Sequence, residues 1–402
     1  MAKKASIVIG LGFGDEGKGL TTSFLGFQSP NSLVIRFNGG QQAGHTVWLG
    51  EKRHVFSNFG AGSLQNIPTY WSNFCTFSPS AFITEYKVLE SLGIFPQIFV
   101  DNLCPVTTHY DILYNRLLEQ KRGSQRHGSC GMGFGATIER HENSPVRLYA
   151  QDLSFPEIVN IKLKSIRQYY HNKLVLQGIT NFLEMPHEQE DNRFIQYLLE
   201  LQKLQNTQHI SWVHEKDIFS NTSPFEHFIF EGAQGVLLDM DFGFFPNVTR
   251  SNTTSKNALE LITRNPESNI SDINIWYASR CYHTRHGAGW FPLENTRLDL
   301  QNTENETNQL NDYQGVFRKA PLNLELLHYA LQCDSNFSKG LPKNLVLTCA
   351  DQLPNQECLV WGNGLEKTNI ANLSKRLQPH FEKLLVSFSA NSEKLLNNVK
   401  KK

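Results

Sequence analysis

Short runs of β-branched and aromatic residues recur along the chain, each broken by glycine or a polar cluster. They read SIVIG at 6–10, SLVIRFNGG at 32–40, PQIFVDN at 96–102, HFIFEGAQG at 227–235, INIWYASRCYH at 273–283 and NLVLTCAD at 344–351. Runs of this length and composition predict buried strands. Between several of them apolar residues return at helical spacing, over 81–92, 110–118 and 322–331. This alternation predicts an α/β fold: a single large domain, 1–402, on a central, mostly parallel β-sheet flanked by helices. Long functional loops are expected at the carboxyl ends of the strands. The polar stretch RLDLQNTENETNQLNDYQG at 297–315 predicts a long mobile loop, and the lysine-ended tail from Asn397 a frayed end.

Composition narrows the class. With 402 residues, 40% hydrophobic and 19% charged, the chain can bury a large core. Its 38 basic and 38 acidic side chains cancel, so no whole-chain field draws it to nucleic acid or to an anionic membrane, and any phosphate must be gripped locally. Seven cysteines, odd in number and without CxxC spacing, argue against a disulfide framework or structural zinc and for a reducing, cytoplasmic setting. The apolar run after Lys4 is too short for a signal-peptide core or a membrane span. The Asn247-Val248-Thr249 triplet therefore carries no glycosylation meaning.

Candidate chemistry sits just after the strands. In GLGFGDEGKG, 10–19, the spacing Gly12-x4-Gly17-Lys18 matches most of a Walker A loop, but Gly19 follows where a magnesium-ligating serine or threonine would stand. Glycines after a strand let backbone N–H groups approach phosphate, and Lys18 adds a point charge; a tight strand-to-helix turn would also explain the glycines. Asp15 separates the two, because a carboxylate beside a phosphate cradle is costly unless it binds a cation or moves a proton. A second loop, NGGQQAGHT at 38–46, places His45 among glycines, where it could donate a proton or stabilise charge on a phosphoryl oxygen. A third, EGAQGVLLDMDFG from Glu231 to Gly243, continues through Thr249 to SNTT at 251–254 and offers amides and hydroxyls suited to base edges and phosphate.

These three stretches resemble the adenylosuccinate synthetase family, whose pattern includes GDEGKGK, GGxNAGHT and EGAQGxLLDxDxGxxPxVTSSN. Residues 127–135, HGSCGMGFG, resemble the family's TTGRGIGP loop, 282–292, YHTRHGAGWFP, its TRVGxGPFP strand end, and 347–351, LTCAD, its LTKLD. The resemblance implies a magnesium-dependent ligase acting on IMP, aspartate and GTP in two steps: phosphorylation of the purine 6-oxygen, then displacement of phosphate by the amine. It casts Asp15 as the base at purine N1 and, with Gly44, as a magnesium ligand. His45 would hydrogen-bond the oxygen that receives the phosphoryl group, and Lys18 would neutralise charge. Triphosphate contacts would come from Gly14, Glu16, Gly17, Lys18, Gly19, Gly44, His45, Thr46, Asp351 and Ser389. The monophosphate would meet Gln42, Ser129, Cys130, Arg147, Gln234 and Thr249, and the amino acid Thr284, Gly315 and Arg318. A homodimer is also implied.

Departures from the family pattern cluster where substrates are chosen. Gln42 replaces asparagine, and Ser129-Cys130 replaces a threonine pair. Of two family arginines in the next loop only Arg147 aligns, with Asn143-Ser144 in the other's region. The TTGRxRR loop reads YQGVFRK at 313–319, so Val316 stands for an arginine while Arg318 remains. Losing one of two guanidinium partners removes on the order of 1.5–3 kcal/mol from carboxylate binding if nothing compensates. Asp351, kept, suits guanine N1 and its 2-amino group, so GTP is expected ahead of ATP; Cys349 replaces a ring-covering lysine and SANS, 389–392, replaces SxGP. Two alternatives stay open: a variant ligase using a dGMP-like nucleotide or another amino donor, and a non-catalytic nucleotide-binding paralogue. His283 and His286 lack the further ligands a metal would need; His286 is expected to line the nucleotide pocket, and Phe134 and Trp290 to pack.

Overall fold

A computed structural model describes residues 2–123, 126–304, 306 and 315–395. The tail from Asn397, and residues 305 and 307–314 of the polar stretch, lie outside the described residues.

In chain order the strands are β1 (Lys3–Gly10), β2 (Ser32–Arg36), β3 (His45–Leu49), β4 (Lys52–Phe56), β5 (Thr69–Trp71), β6 (Ile98–Asp101), β7 (Ile210–Val213), β8 (His227–Gly235), β9 (Ile270–Arg280), β10 (Tyr282–His286), β11 (Phe317–Asn323), β12 (Lys343–Thr348), β13 (Glu357–Trp361), β14 (Leu365–Asn369) and β15 (Lys383–Val386). Nine of them form one sheet in the order β15-β12-β9-β1-β8-β2-β5-β6-β7, with every pairing parallel. Such a sheet must be covered on both faces, which is why β1, β2 and β8 are apolar and buried almost throughout. β10, β11, β13 and β14 form a smaller mixed sheet, and β3–β4 a hairpin.

The helices that cover the sheet are α1 (Lys18–Gly26), α2 (Pro79–Ser91), α3 (His109–Arg122), α4 (Phe134–Asn143), α5 (Pro156–Leu176), α6 (His187–Asn206), α7 (Glu215–Ile218), α8 (Lys256–Thr263), α9 (Leu324–Ser338) and α10 (Ile370–Leu377). Their starts follow from capping chemistry. Thr108 and Asp111 form a reciprocal capping box at α3, and the Asn323 side chain accepts from the N–H groups of Glu325 and Leu326 at α9. The long α6 buries positions 187, 191, 194, 198 and 201, a stripe that packs it beside α5 and α2.

Two expectations about elements change. The run 273–283 is not one strand: β9 ends at Arg280, the Cys281 N–H bonds to the Thr348 carbonyl, and β10 turns into the second sheet. The strand predicted at 344–351 ends at Thr348, where Cys349 takes a left-handed backbone with φ 60°. All seven cysteines are free, and among the described residues no helix is long and apolar enough to cross a membrane.

Candidate active site

A parallel sheet carries its strand-end loops to one edge, and there a cleft of about 1260 Å³ opens. Gly14 to Gly19 line it from the first loop, and Gln42, Gly44, His45 and Thr46 from the second; Ser129, Cys130, Gln234, Thr249, Asp351 and Ser389 also lie on its walls. Four predicted residues lie elsewhere. Arg147 is exposed, its N–H bonded to the Pro145 carbonyl. Thr284 is buried and donates to the Gly14 carbonyl at 3.2 Å. Gly315 accepts from His286 Nε2 at 3.1 Å. Arg318 pairs with Glu294 at 2.6 Å and donates to the carbonyls of Gly287 and Gly289. The three residues expected to meet the amino acid are thus turned to partners within the chain. His286 lines the cleft, and Trp290 stands 55% exposed against Phe244 instead of packing inside.

The first loop corrects the Walker reading. The Glu16 carboxylate folds back to accept from the N–H groups of Gly12 (3.0 Å) and Gly14 (2.7 Å) and from Lys18 Nζ (2.6 Å). Two of the N–H groups that a phosphate cradle would offer are therefore occupied. A Cβ on Gly10 would stand 2.2 Å from Glu16 Oε2, and one on Gly235 would stand 2.4 Å from Oε1. These glycines make room for a carboxylate, and Glu16, expected to touch triphosphate, organises the loop. Lys18 is 3% exposed, its charge balanced by Glu16.

Asp15 stands half-buried at the turn of this loop. Its backbone is left-handed at φ 64°, a conformation held by the surroundings, with its carbonyl accepting from Arg280 Nε at 2.5 Å. Burial raises the pKa of its carboxyl above the ordinary value, Arg280 opposes this, and the neighbouring Glu16 adds to it. A carboxylate with a raised pKa is a better base. The donor set also fits magnesium: one carboxylate at Asp15 and the Gly44 carbonyl are hard oxygen ligands, and that ion ordinarily takes few protein oxygens and completes its shell with water and phosphate. Among the described residues no group of three His, Cys, Asp or Glu could hold a metal ion on its own.

His45 opens β3, and its Nδ1 lies 2.6 Å from Glu231 Oε1 on β8. The other Glu231 oxygen accepts the Ala61 N–H at 3.0 Å. A carboxylate only accepts, so the proton sits on Nδ1 and leaves Nε2 as the ring atom available to the cleft. Behind this pair the register aligns Glu231 with Arg36 on β2, and Arg36 with Trp71 on β5. Aligned residues share a sheet face; Arg36 and Glu231 are both fully buried, and the Arg36 guanidinium lies 5.1 Å from the Trp71 ring centre. Burial works against the Glu231 carboxylate, but His45, Arg36 and the Ala61 N–H outweigh it and hold its pKa below the ordinary value. Burial lowers the His45 pKa, with Arg36 and Lys18 adding to it against the pull of Glu231.

Amide groups complete the site. Both side-chain polar atoms of Gln42, and Oε1 of Gln234, are buried without a hydrogen-bond partner among the described residues. Such atoms are uncommon in native proteins and mark places where a ligand or water belongs. Burial raises the Asp351 carboxyl pKa, and its backbone carbonyl accepts from the side chains of Gln301 and Asn302. Sequence reasoning missed Glu231 as the partner of His45, and Arg36, Arg280 and Arg250 altogether. The usable signal was a charged residue inside or ending an apolar strand: Arg36 two residues before Asn38, Glu231 opening its motif and Arg280 closing β9.

A glycine-rich first loop, a histidine–carboxylate pair and amides unpaired among the described residues, all around one cleft, define an α/β protein whose site lies at the carboxyl ends of its parallel strands. Residues 7–356 match the family model described as Adenylosuccinate synthetase, and the chain belongs to that family. It is 30% identical over 294 residues to the adenylosuccinate synthetase of Bordetella avium, covering 72% of this chain and 65%, just under two thirds, of that protein. It is 30% identical over 337 residues to that of Thermoplasma volcanium, covering 82% and 73%. The fold is like the fully ligated adenylosuccinate synthetase of Plasmodium falciparum, with TM-score 0.74, 19% identity and 97% and 98% of the two chains covered. It is also like the cyanophage S-2L succinoaminodeoxyadenylate synthetase bound to dGMP and dATP, with TM-score 0.62, 15% identity and 98% and 95% covered.

Proposed function

We propose that the chain is a ligase that phosphorylates the purine 6-oxygen of IMP with a nucleoside triphosphate, GTP ahead of ATP, and then joins aspartate at that carbon. The products are adenylosuccinate, nucleoside diphosphate and phosphate. The observation that carries this reading is Asp15, a carboxyl with a raised pKa in a left-handed turn between Lys18 and Arg280 on the cleft wall. It takes the N1 proton and leaves the 6-oxygen nucleophilic. Asp15 and the Gly44 carbonyl would hold magnesium, which would supply positive charge to the phosphate oxygens. Lys18 adds to that charge, and the strand-end loops set the in-line geometry that phosphoryl transfer chiefly requires.

His45 needs one step more than the sequence suggested. Neutral and bonded to Glu231 through Nδ1, it offers a lone pair at Nε2 and donates to the 6-oxygen only after taking up a proton. The negative charge of the arriving triphosphate drives that protonation. Gln42 and Gln234 have amide atoms to spare for the monophosphate, and Asp351 for guanine. Arg147, exposed and off its own cleft, suits the nucleotide of a partner subunit in a cytoplasmic homodimer. Val316, 61% exposed where the family has arginine, favours as second reading a deoxynucleotide or another amino donor.

The test is phosphate release from purified protein given IMP or dGMP, aspartate, and GTP or ATP. Turnover with IMP is expected. No turnover with IMP under any donor overturns the proposal, and turnover with dGMP alone establishes the second reading.

A further inference from the structure

The Ser129, Cys130 and Thr249 side chains offer a phosphate group only neutral donors. Ser129 Oγ accepts from Asn115 Nδ2 at 2.9 Å and keeps one O–H to donate. Cys130 offers a thiol, which burial keeps protonated by raising its pKa, and a thiol is a weak donor. Thr249 remains, and directly after it Arg250 lines the same cleft where the family pattern has serine.

Other guanidinium groups on the cleft are committed. Arg122 pairs at 2.5 Å with the buried Glu119, whose second oxygen accepts the Gly128 N–H. Arg285 donates to the carbonyls of Ala288, Trp290 and Asn247. Arg280 donates to Asp15 and Glu306. Arg250 differs in kind. Its Nε and Nη2 lie 3.1 and 2.9 Å from Glu142 Oε2, and its Nη1 lies 4.0 Å from Glu139. The Arg250 and Glu142 side chains are 39% and 46% exposed, and ion pairs in that setting are weak. Glu139 has its own cation in Lys173. A phosphate dianion is a better bidentate acceptor than a solvated carboxylate, so the exchange favours phosphate. The N-terminal turn of α4 faces the same wall through Phe134, Gly135 and Ala136, and its capping residue Gly133 places no side chain over the free N–H groups.

We propose that Arg250 leaves Glu142 to bind the 5′-phosphate of the nucleoside monophosphate, giving each chain its own guanidinium for selecting nucleotide over nucleoside. The inference rests on reading this cleft as a purine monophosphate site.

The experiment compares wild type, Arg250→Ala, Arg250→Lys and Glu142→Gln, each checked for an unchanged melting temperature. Kinetics are measured with IMP, aspartate and GTP, and binding of IMP and of inosine by calorimetry. Arg250→Ala is expected to raise KM for IMP by about 10–100-fold, the size of a lost charge-assisted contact. KM for GTP should stay within about two-fold and inosine binding should not move. Arg250→Lys should restore part of the loss, and Glu142→Gln should tighten IMP binding by freeing the guanidinium. A KM for IMP within two-fold of wild type in Arg250→Ala, or equal weakening of IMP and inosine, overturns the proposal. Should wild type turn over no IMP, the proposed reaction fails by itself, and the ratio of monophosphate to nucleoside binding, measured with IMP, dGMP and AMP, still decides Arg250.

Discussion

The two walls of the cleft are built differently. On the side of Asp15, Lys18 and His45, each charged group is buried or turned inward and is fixed by a partner within the chain: Lys18 by Glu16, His45 by Glu231, and the Asp15 backbone by Arg280. On the side of Ser129 and Thr249, and near Arg318, Arg250 and Arg318 are part-exposed and pair with glutamates that are themselves accessible, whereas Arg122 pairs with the buried Glu119. Groups locked in a low-dielectric site need no reorganisation when charge develops during reaction. Weakly paired surface groups can be traded for a ligand. On the proposed function the first wall would serve the chemistry and the second the choice of substrate, and Ser129-Cys130 and Arg250, departures from the family pattern, lie on the second.

Substitutions on the two walls should therefore fail in different ways. The largest effect is expected for Asp15→Asn, which keeps the size and removes the base; kcat should fall by about 10²–10⁴-fold, typical for loss of a general base. Triphosphate binding should persist, and kcat within a few-fold of wild type in phosphate-release assays would remove Asp15 from the chemistry. Next comes Glu231→Gln. The amide no longer dictates which ring nitrogen of His45 carries the proton, and kcat should drop by about 100-fold with little change in KM. The same change removes a carboxylate charge close to the buried Arg36, which should be visible as a lower melting temperature. Off the cleft wall, Arg318→Ala frees Glu294 and the Gly287 and Gly289 carbonyls; if Arg318 turns to aspartate on binding, KM for aspartate should rise by about 10-fold, and a change in kcat alone would blur the distinction between the walls.

The smallest effect belongs to a residue on neither wall. His227 bonds to Ser6 Oγ at 2.9 Å, and burial pushes its pKa down to about 3 from the ordinary 6.5. Between these values the unfolded chain binds a proton that the folded chain refuses, so the stability supplied by this group is complete above 6.5 and falls with acidity. Each pH unit removes about 1.4 kcal/mol. His227→Gln should make the acid-side decline in unfolding free energy shallower by that amount, read from urea titrations at stepped pH.

Much of this was legible in the sequence, and the parts that were not have physical reasons. The strand-end loops at 10–19, 38–46 and 231–243 announced themselves because glycine and a lone charge after an apolar run are unusual together. The long helices α5 and α6 were passed over, although 187, 191, 194, 198 and 201 keep helical spacing, because charged residues between them mask the stripe. The second sheet was hidden by the continuity of 273–283, whose apolar pattern runs straight across the break at Cys281. The alignment of Arg36 with Glu231 depends on β2 and β8 becoming neighbours across almost two hundred residues, which no local pattern encodes. The orientation of Arg318 and Arg147 depends on loop conformation, which residue type does not dictate.

The carboxylate of Glu16 lies in a space left by glycines from two distant loops. In hereditary terms this ties positions 10, 16 and 235 together. A larger residue at either glycine evicts the carboxylate, and a smaller residue at 16 leaves Lys18 without its counter-charge and the Gly12 and Gly14 N–H groups without an acceptor. A single change at any of the three therefore damages the corner by itself, so replacement there requires coordinated changes at two of the positions.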